Sequence, residues 1–551
     1  MQNKEVINLP VLKFDANRLI EITGVDINTL QEALFSLKCE TSISNDNILE
    51  VEINPDRPDM YIGEGIGRAV RGIMNLELGY KEINTENNEF VLINEQPNIR
   101  PYIAGAIVSN LDLSSYISEL IQFQEKLHDG IGRKRRKIAI GIHDLNKVPS
   151  KELKYKYINI NNAEMVPLGY NKRLKVKDLL KTTEQGIKYG NISLKDELHP
   201  AFLSGDEIIS LPPVINSDIT RLEPDTKNIL IDITGTDEFY VDKTLDIIIS
   251  NLSEIKGSKV KKIKIKNANY EKETPLLKKE NISLEKEYVN KILGTSLSIE
   301  EINYHLQRMR FDSKIINDKE MIVIIPPYRI DIIQKVDLTE EIAMAIGYND
   351  IIPNKPKLLI KGEISNATKL KRKIRDIMIG LGFTELLSLT LVSSNKLRNL
   401  DIFNNIIISN PVQEDYDSLR PSLFISMINA MAYNERSDKP VKLFEIGKTV
   451  EKANKIKERE KLAISIMDES LSYEDIQAIV YSLLKNLNVN FKVKKFDCNL
   501  MTNGRSAGIE VNNTLIGCMG EVNPYILQKF NLDYPVVFSE IDLGELVGNT
   551  R

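Results

Sequence analysis

A chain of 551 residues, 42% apolar and 27% charged, is long enough for roughly three or four domains of about 150 residues and too apolar to stay unfolded. Lys and Arg number 73 against 78 Asp and Glu, a formal net charge of −5, which excludes a histone-like positive coat but not a local basic patch. Three cysteines, at 39, 498 and 518, fit a reducing compartment and argue against a cysteine zinc site, while no apolar run nears the about 18 residues of a membrane helix and Met1 to Pro10 lacks a signal-peptide pattern, so a cytoplasmic chain with no membrane contact is expected.

In chain order, a short strand is followed by a helix whose apolar stripe is Ile27, Leu30, Leu34 and Leu37. Strand-like Ile48 to Ile53 leads into the turn Asn54-Pro55-Asp56-Arg57-Pro58-Asp59, where Asp59 can cap a helix with Ile62, Ile66, Ala69, Val70 and Ile73 on its core side. Tyr102 to Val108 reads as a strand, Tyr116 to Leu127 as a helix, and Ile138 to Ile142, Ile229 to Ile233 and Thr244 to Ile249 as further strands. Lys256 to Lys266 alternates Lys with Val and Ile and predicts an exposed strand. A first helix near Ser283, a second over about Ile299 to Met309 with the Ser298/Glu301 capping-box spacing, a hairpin at Asn317-Asp318 and a last helix make a unit over 272–350. Asn354 to Pro356 is a plausible linker, and beyond it comes a helix with Leu370, Ile374, Ile377 and Leu381, stopped by Gly382 and followed by strands. The expected domains are 1–90, 91–255, 270–350 and 360–551.

Three constellations carry chemistry, each beside a plainer reading. Pro326 to Asp331 followed by Asp337-Leu338-Thr339-Glu340-Glu341 is either a helix with acidic residues at its positive end, Asp337 and Glu340 at capping-box spacing and Gly347 as its C-cap, or an oxygen-ligand set suited to Mg²⁺. Arg133-Lys134-Arg135-Arg136-Lys137 is either a solvated face or a phosphate-backbone contact. On an Ile231 to Ile233 strand, Asp232 and Thr234 share the face opposite the isoleucines, which either meets solvent or lines a pocket for a polar substrate. His143 and Asp144 are adjacent, so on a strand they point to opposite faces. There is no G-x-x-x-x-G-K-[S/T] phosphate loop, no G-x-S-x-G elbow and no HExxH among the four histidines at 128, 143, 199 and 305. The C-terminal block contributes Leu419-Arg420-Pro421-Ser422-Leu423 and Lys442-Leu443-Phe444-Glu445-Ile446-Gly447, the latter a strand ended by its glycine.

Together these pieces, in this order and over essentially the whole chain, resemble the beta subunits of phenylalanyl-tRNA synthetase, of the shorter archaeal and eukaryotic type. Asn54 to Asp59 resembles that family's N-terminal motif. Leu127-His128 with Gly132 to Lys137 and Ala139 to Leu145 resembles its editing-domain signature, Pro326 to Asp331 with Asp337 to Ile342 its B5 domain, and Phe444 to Gly447 with Gly520-Glu521-Val522 its catalytic-like module. The resemblance implies an α+β multidomain fold with a B3/B4 editing domain, a winged-helix-like B5 domain and a class II synthetase-like core without catalytic motifs. It implies an α₂β₂ aminoacyl-tRNA synthetase in which the alpha subunit carries the synthetic site and uses ATP to attach phenylalanine to tRNA(Phe). No G-x-G-x-x-R motif accompanies Gly544-Glu545-Leu546-Val547, and the nearest arginine is Arg551, so ATP binding is not assigned to this chain. The resemblance further implies Mg²⁺ at Asp331, Asp337, Glu340 and Glu341, as a structural ion. It implies hydrolysis of Tyr-tRNA(Phe) in a pocket for which Asp232, Thr234, Asn216, Ser210 and His143 are candidates. Bacterial relatives carry extra tRNA-binding domains for which there is no room here, so tRNA contact falls to Arg133, Lys134, Arg135, Arg136 and Lys137, the alpha partner, or other surfaces. The alternatives are a non-catalytic RNA-binding scaffold and a free-standing tRNA deacylase.

Overall fold

The structure, a computed structural model, describes residues 10–547 except 45, 115, 354, 356–361 and 453. It divides into two compact units that meet at Pro356 and Lys357 in the sequence. Asn354 and Pro356 of the expected linker, and Arg551, lie outside the described residues.

The first unit begins with an antiparallel sheet ordered Val11–Asp15, Ile48–Glu52, Glu40–Ile43, covered by helices Ala16–Thr23 and Ile27–Ser36. Leu30 and Leu34 of the second helix are buried beside Leu49 and Val51, as its stripe predicts. Helix Gly63–Ile73 follows a turn at Pro58–Met60. Its flanking residue is Ile62. Asp59 lies inside the turn, where Arg57 donates to both its oxygens at 2.9 and 3.0 Å.

A mixed sheet, eleven-stranded among the described residues, dominates this unit. Its path runs Ile215–Asn216, Glu207–Leu211, Leu198–Ser204, Glu152–Asn159, Val91–Asn94, Lys259–Lys266, Tyr102–Ser109, Ile229–Gly235, Ile138–Asp144. The lysine-rich strand lies inside the path, not at an exposed edge. Val260, Ile263 and Ile265 are buried while its lysines stay accessible. The sheet thus reaches beyond 255, and its flanking strand Glu271–Thr274 overlaps the start expected for the next domain. Along Ile229–Gly235 the faces alternate. Ile229, Ile231 and Ile233 pack with helices Ile117–Asp129 and Glu238–Leu252, and Leu230 packs with Leu153, Tyr155 and Phe202 on the other side.

Thr244 to Ile249 belongs to that second helix and is not a strand. Helix residues Val241, Leu245, Ile247, Ile248, Ile249 and Leu252 are all buried, at about 1.5–3 kcal/mol of transfer free energy for each large side chain. Burial around most of the helix erases the 3.6-residue stripe, and a run of isoleucines then reads as strand.

The first unit closes with an antiparallel sheet ordered Glu280–Glu285, Glu320–Ile325, Asp312–Ile315 and helices Lys286–Leu293, Ile299–Arg308 and Lys335–Ile346. Ser283 lies in the first strand, and the helix starts after Glu285. The Ser298/Glu301 box is formed in both directions. The last helix begins a turn earlier than expected: Gln334 is its N-cap and Asp337, not Glu340, occupies the third position.

The second unit has a sheet ordered Thr384–Glu385, Val441–Lys452, Ile456–Met467, Val536–Asp542, Thr514–Val522, Met501–Val511, Lys492–Lys495, seven strands among the described residues. Helices Asn366–Gly380 and Tyr473–Asn486 bury Leu370, Ile374, Ile476 and Val480 against it. Gly382, at φ +83°, follows the first of these helices. Gly447 does not end its strand, which runs to Lys452. The glycine instead makes room for Arg420, whose Nη2 would lie 2.5 Å from an added Cβ.

Candidate functional site

A pocket of about 590 Å³ opens beside the edge strand Ile138–Asp144, between helix Ile117–Asp129 and the segment around 210–224. The outward carbonyls of that edge are met by side chains: Gln124 donates to Ile140 O at 2.8 Å and Asn216 to Ile142 O at 3.4 Å. The helix turns Ile117, Ile121, Gln124 and Glu125, spaced i, i+4, i+7, i+8, toward the pocket, and buries Leu120, Phe123 and Leu127 behind.

Asp232 lies at the floor. It is in register with Gly105 on one neighbouring strand and Gly141 on the other. A Cβ on Gly141 would come within 2.1 Å of Asp232 Oδ1. Asp232 Oδ1 accepts from His143 Nε2 at 2.8 Å, and His143 Nδ1 is 2.7 Å from Thr220 Oγ1. All three residues are buried. Asp232 and Thr220 line the pocket, and His143 stands behind them. Ser210 and Asn216 pair across adjacent strands, with Ser210 Oγ donating to Asn216 Oδ1 at 2.9 Å, and both line the cavity.

The structure therefore gathers Asp232, Ser210 and Asn216 around one pocket, with His143 hydrogen-bonded to the first. Thr234 departs from the expectation. It shares the strand face of Asp232, but Arg100 Nε donates to its hydroxyl at 3.0 Å and Arg100 Nη2 to its carbonyl at 3.2 Å, away from the lining. Arg100 is fully buried, and burial pushes its guanidinium down to about 10. Asp144 points the other way from His143, accepting from Thr226 at 2.8 Å.

The basic run is not a uniform cationic face. Arg133, Lys134 and Arg135 take left-handed backbone angles, φ 48°, 56° and 65°. This conformation is disfavoured by about 1–2 kcal/mol per residue and so needs external support. Arg135 supplies that support. Its Nη1 donates to the carbonyls of Pro213 and Val214 at 3.2 Å, its Nη2 to Glu125 Oε1 at 2.6 Å, and its guanidinium stacks 4.6 Å over Tyr189. Arg135 is thus a wall of the pocket, not an outward cation. Lys137 sits 3.2 Å over the Tyr240 ring and 3.4 Å from Asp237. Arg133, Lys134 and Arg136 are exposed.

Sequence reading missed Glu125, Arg135 as a lining residue, Thr220, Arg221 and Gly141. The one local signal was Gly141, since a glycine inside a strand marks a close approach. Burial opposes ionisation of Glu125, but His128 and Arg135 overcome it and hold the carboxyl at about 2.

The four acidic residues of the Pro326 to Glu341 motif do not converge on one ion-sized position. Arg329 clamps two of them: its Nη2 is 2.6 Å from Asp331 Oδ2 and 2.7 Å from Glu341 Oε1, and its Nη1 is 2.9 Å from Glu341 Oε2. Burial alone would lower the Arg329 guanidinium, yet Asp331 and Glu341 hold it well above its usual value. Asp337 accepts from the backbone N–H groups of Ile333 and Gln334, and Glu340 pairs with Lys38. Among the described residues no group of three His, Cys, Asp or Glu side chains is arranged to hold a metal. An internal guanidinium is thus the counter-charge of Asp331 and Glu341, two of the four residues of the expected Mg²⁺ ligand set.

In the second unit, Arg420 and Glu445 form a buried pair at 2.8 Å. Arg420 also donates to Lys448 O and Ser426 Oγ, both at 3.0 Å. Among the described residues no helix is long and apolar enough to cross a membrane.

Two family models match the chain: "tRNA synthetase B5 domain" over residues 282–348 and "Phenylalanyl tRNA synthetase beta chain CLM domain" over residues 351–543. The chain is 41% identical over 547 residues to the phenylalanine--tRNA ligase beta subunit of Aeropyrum pernix and 40% identical over 551 residues to that of Sulfurisphaera tokodaii, covering 98% of this chain and 99% of each relative. Its fold is also similar to a crystal structure of an N-terminal fragment of the phenylalanyl-tRNA synthetase beta subunit from Pyrococcus horikoshii, with a TM-score of 0.58 at 28% identity over 62% of this chain and all of that one. The C-terminal core, the acidic helix domain and near-complete coverage by relatives agree, and the chain belongs to the family of phenylalanine–tRNA ligase beta subunits.

Proposed function

We propose that this beta subunit proofreads: its pocket hydrolyses tyrosine wrongly attached to tRNA(Phe), while an alpha partner, in an α₂β₂ assembly, uses ATP to attach phenylalanine. The observation that carries the reading is Asp232, a buried carboxylate at the floor of a large pocket, fixed from behind by His143, whose other ring nitrogen is held by Thr220. A phenol O–H reaching the floor donates to Asp232. Phenylalanine in the same position leaves that carboxylate desolvated and without the bond, so tyrosine is selected. The pocket has the size of small-molecule sites. Water adds to the ester carbonyl carbon, the bond to the ribose oxygen breaks, the oxygen takes a proton, and free tyrosine and tRNA leave. Positioning of that water against a held ester is the main service of the site.

Arg221 lines the pocket and is accessible, and Arg133, Lys134 and Arg136, sequence neighbours of the lining residue Arg135, are accessible too; these supply positive charge for the incoming tRNA end. The thiols of Cys39, Cys498 and Cys518 are free, consistent with work in a reducing cytoplasm.

The test is deacylation of Tyr-tRNA(Phe) by the assembled enzyme. Asp232→Ala should cut the rate by about 100-fold, the worth of a lost hydrogen bond to a charged group in a dry site, and leave phenylalanine attachment unchanged. Wild-type rates in the variant would remove the pocket from the reaction.

A further inference from the structure

A tyrosyl ester has two polar ends besides the ester itself: the phenol and the α-ammonium. The pocket wall carries two carboxylates among the described residues, Asp232 and Glu125. They differ in depth. The Asp232 side chain is 2% exposed and that of Glu125 is 45% exposed. The tRNA cannot enter a cavity of this size, so the ester must stay near the mouth. The ammonium sits two bonds from the acyl carbon, on Cα, and stays there with it, whereas the phenol lies at the far end of the side chain. Depth therefore pairs the phenol with Asp232 and the ammonium with Glu125.

We infer that Glu125 is the ammonium-binding residue of this pocket, its Oε2 taking the substrate's α-NH₃⁺; the inference rests on the pocket being the tyrosyl-ester site proposed above. Glu125 is built for that task. Both of its protein partners use one oxygen: Arg135 Nη2 donates to Oε1 at 2.6 Å and His128 Nδ1 lies 3.1 Å from the same atom. Oε2 has no hydrogen-bond partner among the described residues. His128 Nε2 accepts from the backbone N–H of Ile140 at 2.8 Å, so the neutral ring carries its proton on Nδ1 and donates it to Glu125. Arg135 is itself tied to the Pro213 and Val214 carbonyls across the pocket. The carboxylate is thus oriented before substrate arrives, with one oxygen left for a cation. Its ionised state, held by the same two partners, is the one an ammonium requires.

The experiment compares two esters of tRNA(Phe): tyrosyl, and 3-(4-hydroxyphenyl)propionyl, which lacks only the amine. Each is hydrolysed by the assembled enzyme, wild type and Glu125→Gln, and each kcat/KM is corrected for spontaneous hydrolysis. In the wild type the tyrosyl ester should be favoured. In Glu125→Gln that preference should fall by about tenfold or more, mostly through KM, because a charged hydrogen bond becomes a neutral one. Phenylalanine attachment by the same preparation reports that the protein is folded. If Glu125→Gln lowers both esters equally, Glu125 merely holds Arg135 and the inference is overturned. If Glu125→Gln also loses phenylalanine attachment, Glu125→Asp is measured by the same ratio. That variant keeps the charge but shortens its reach, so an unchanged ratio overturns the inference and a reduced one supports it. Failure of the wild type to hydrolyse either ester would instead overturn the pocket's function, a result distinct from an active wild type whose preference ignores Glu125.

Discussion

Asp232 can occupy the pocket floor because Gly141, beside it in register, has no side chain. Gly141→Ala would place a methyl group 2.1 Å from Asp232 Oδ1 and 3.0 Å from His143 Nε2. That overlap should displace the carboxylate, reduce Tyr-tRNA(Phe) deacylation by at least about tenfold and destabilise the first unit by about 1–3 kcal/mol, measured by urea unfolding. An unchanged deacylation rate would mean that the position of Asp232 does not matter. The Arg329 clamp gives a second case. Arg329→Met leaves Glu341 buried and Asp331 nearly so without their counter-charge, and should destabilise the same unit by about 3–5 kcal/mol in the same assay. Asp232 was legible in the sequence because a polar residue inside a strand-like run draws attention, whereas Ser210 and Asn216 came only with the family resemblance. Thr234 was misplaced because strand periodicity gives a face but not depth along it, and Arg100, distant in sequence, claims that hydroxyl. Glu125 was invisible because an acidic residue on a helix flank is ordinary; His128 and Arg135 alone turn it inward.

At the scale of elements, the cap at Ser298 and Glu301 was readable, but those expected at Asp59, Ser283 and Asp337 were not, and neither was an element buried around most of its surface. Helix Glu238–Leu252 was mistaken for a strand over Thr244 to Ile249, and it also hides an acid. Asp246 is buried among those isoleucines, accepts from Leu277 N at 3.0 Å, and burial pushes its carboxyl up to about 7. The folded-state value lies above the ordinary 3.8, so between about pH 4 and 7 the folded chain binds the proton more tightly than the unfolded one. The stability this contributes is complete below the unfolded value and is lost as pH rises through 7. Asp246→Asn keeps an oxygen to accept from Leu277 and removes the titration. Urea unfolding should find the variant's advantage over wild type growing steadily from about pH 4 to pH 8, where it reaches on the order of 1–4 kcal/mol. Equal stabilities at pH 8 would show that Asp246 ionises without penalty.

The whole molecule was legible as blocks, because each domain keeps a local signature, but not as surfaces, since partner faces depend on which apolar side chains the fold leaves outside. The second unit leaves many. Its small sheet pairs Leu391–Val392 and Ile406–Ile407 with Ser418–Leu419. Around this sheet Leu387 is 89% exposed, Val412 86% and Phe403 70%, with Leu389 and Ile407 also exposed. Leu387 and Leu389 flank Ser388, which donates to Glu445 Oε2 at 2.6 Å, so they project from an anchored segment. Scattered surface leucines need no explanation, but exposed apolar side chains gathered in the segments next to one small sheet fit a protein interface. An obligate subunit interface should be dry and apolar here, and a charge in it should be expensive. Leu389→Glu combined with Val412→Glu should therefore abolish co-purification of the alpha partner and with it phenylalanine attachment. The isolated chain should keep its unfolding transition, because neither side chain is buried within it. Retained assembly in the double variant would place the alpha contact on another face of the second unit. Loss of assembly together with loss of the unfolding transition would show instead that these side chains support the unit's own fold.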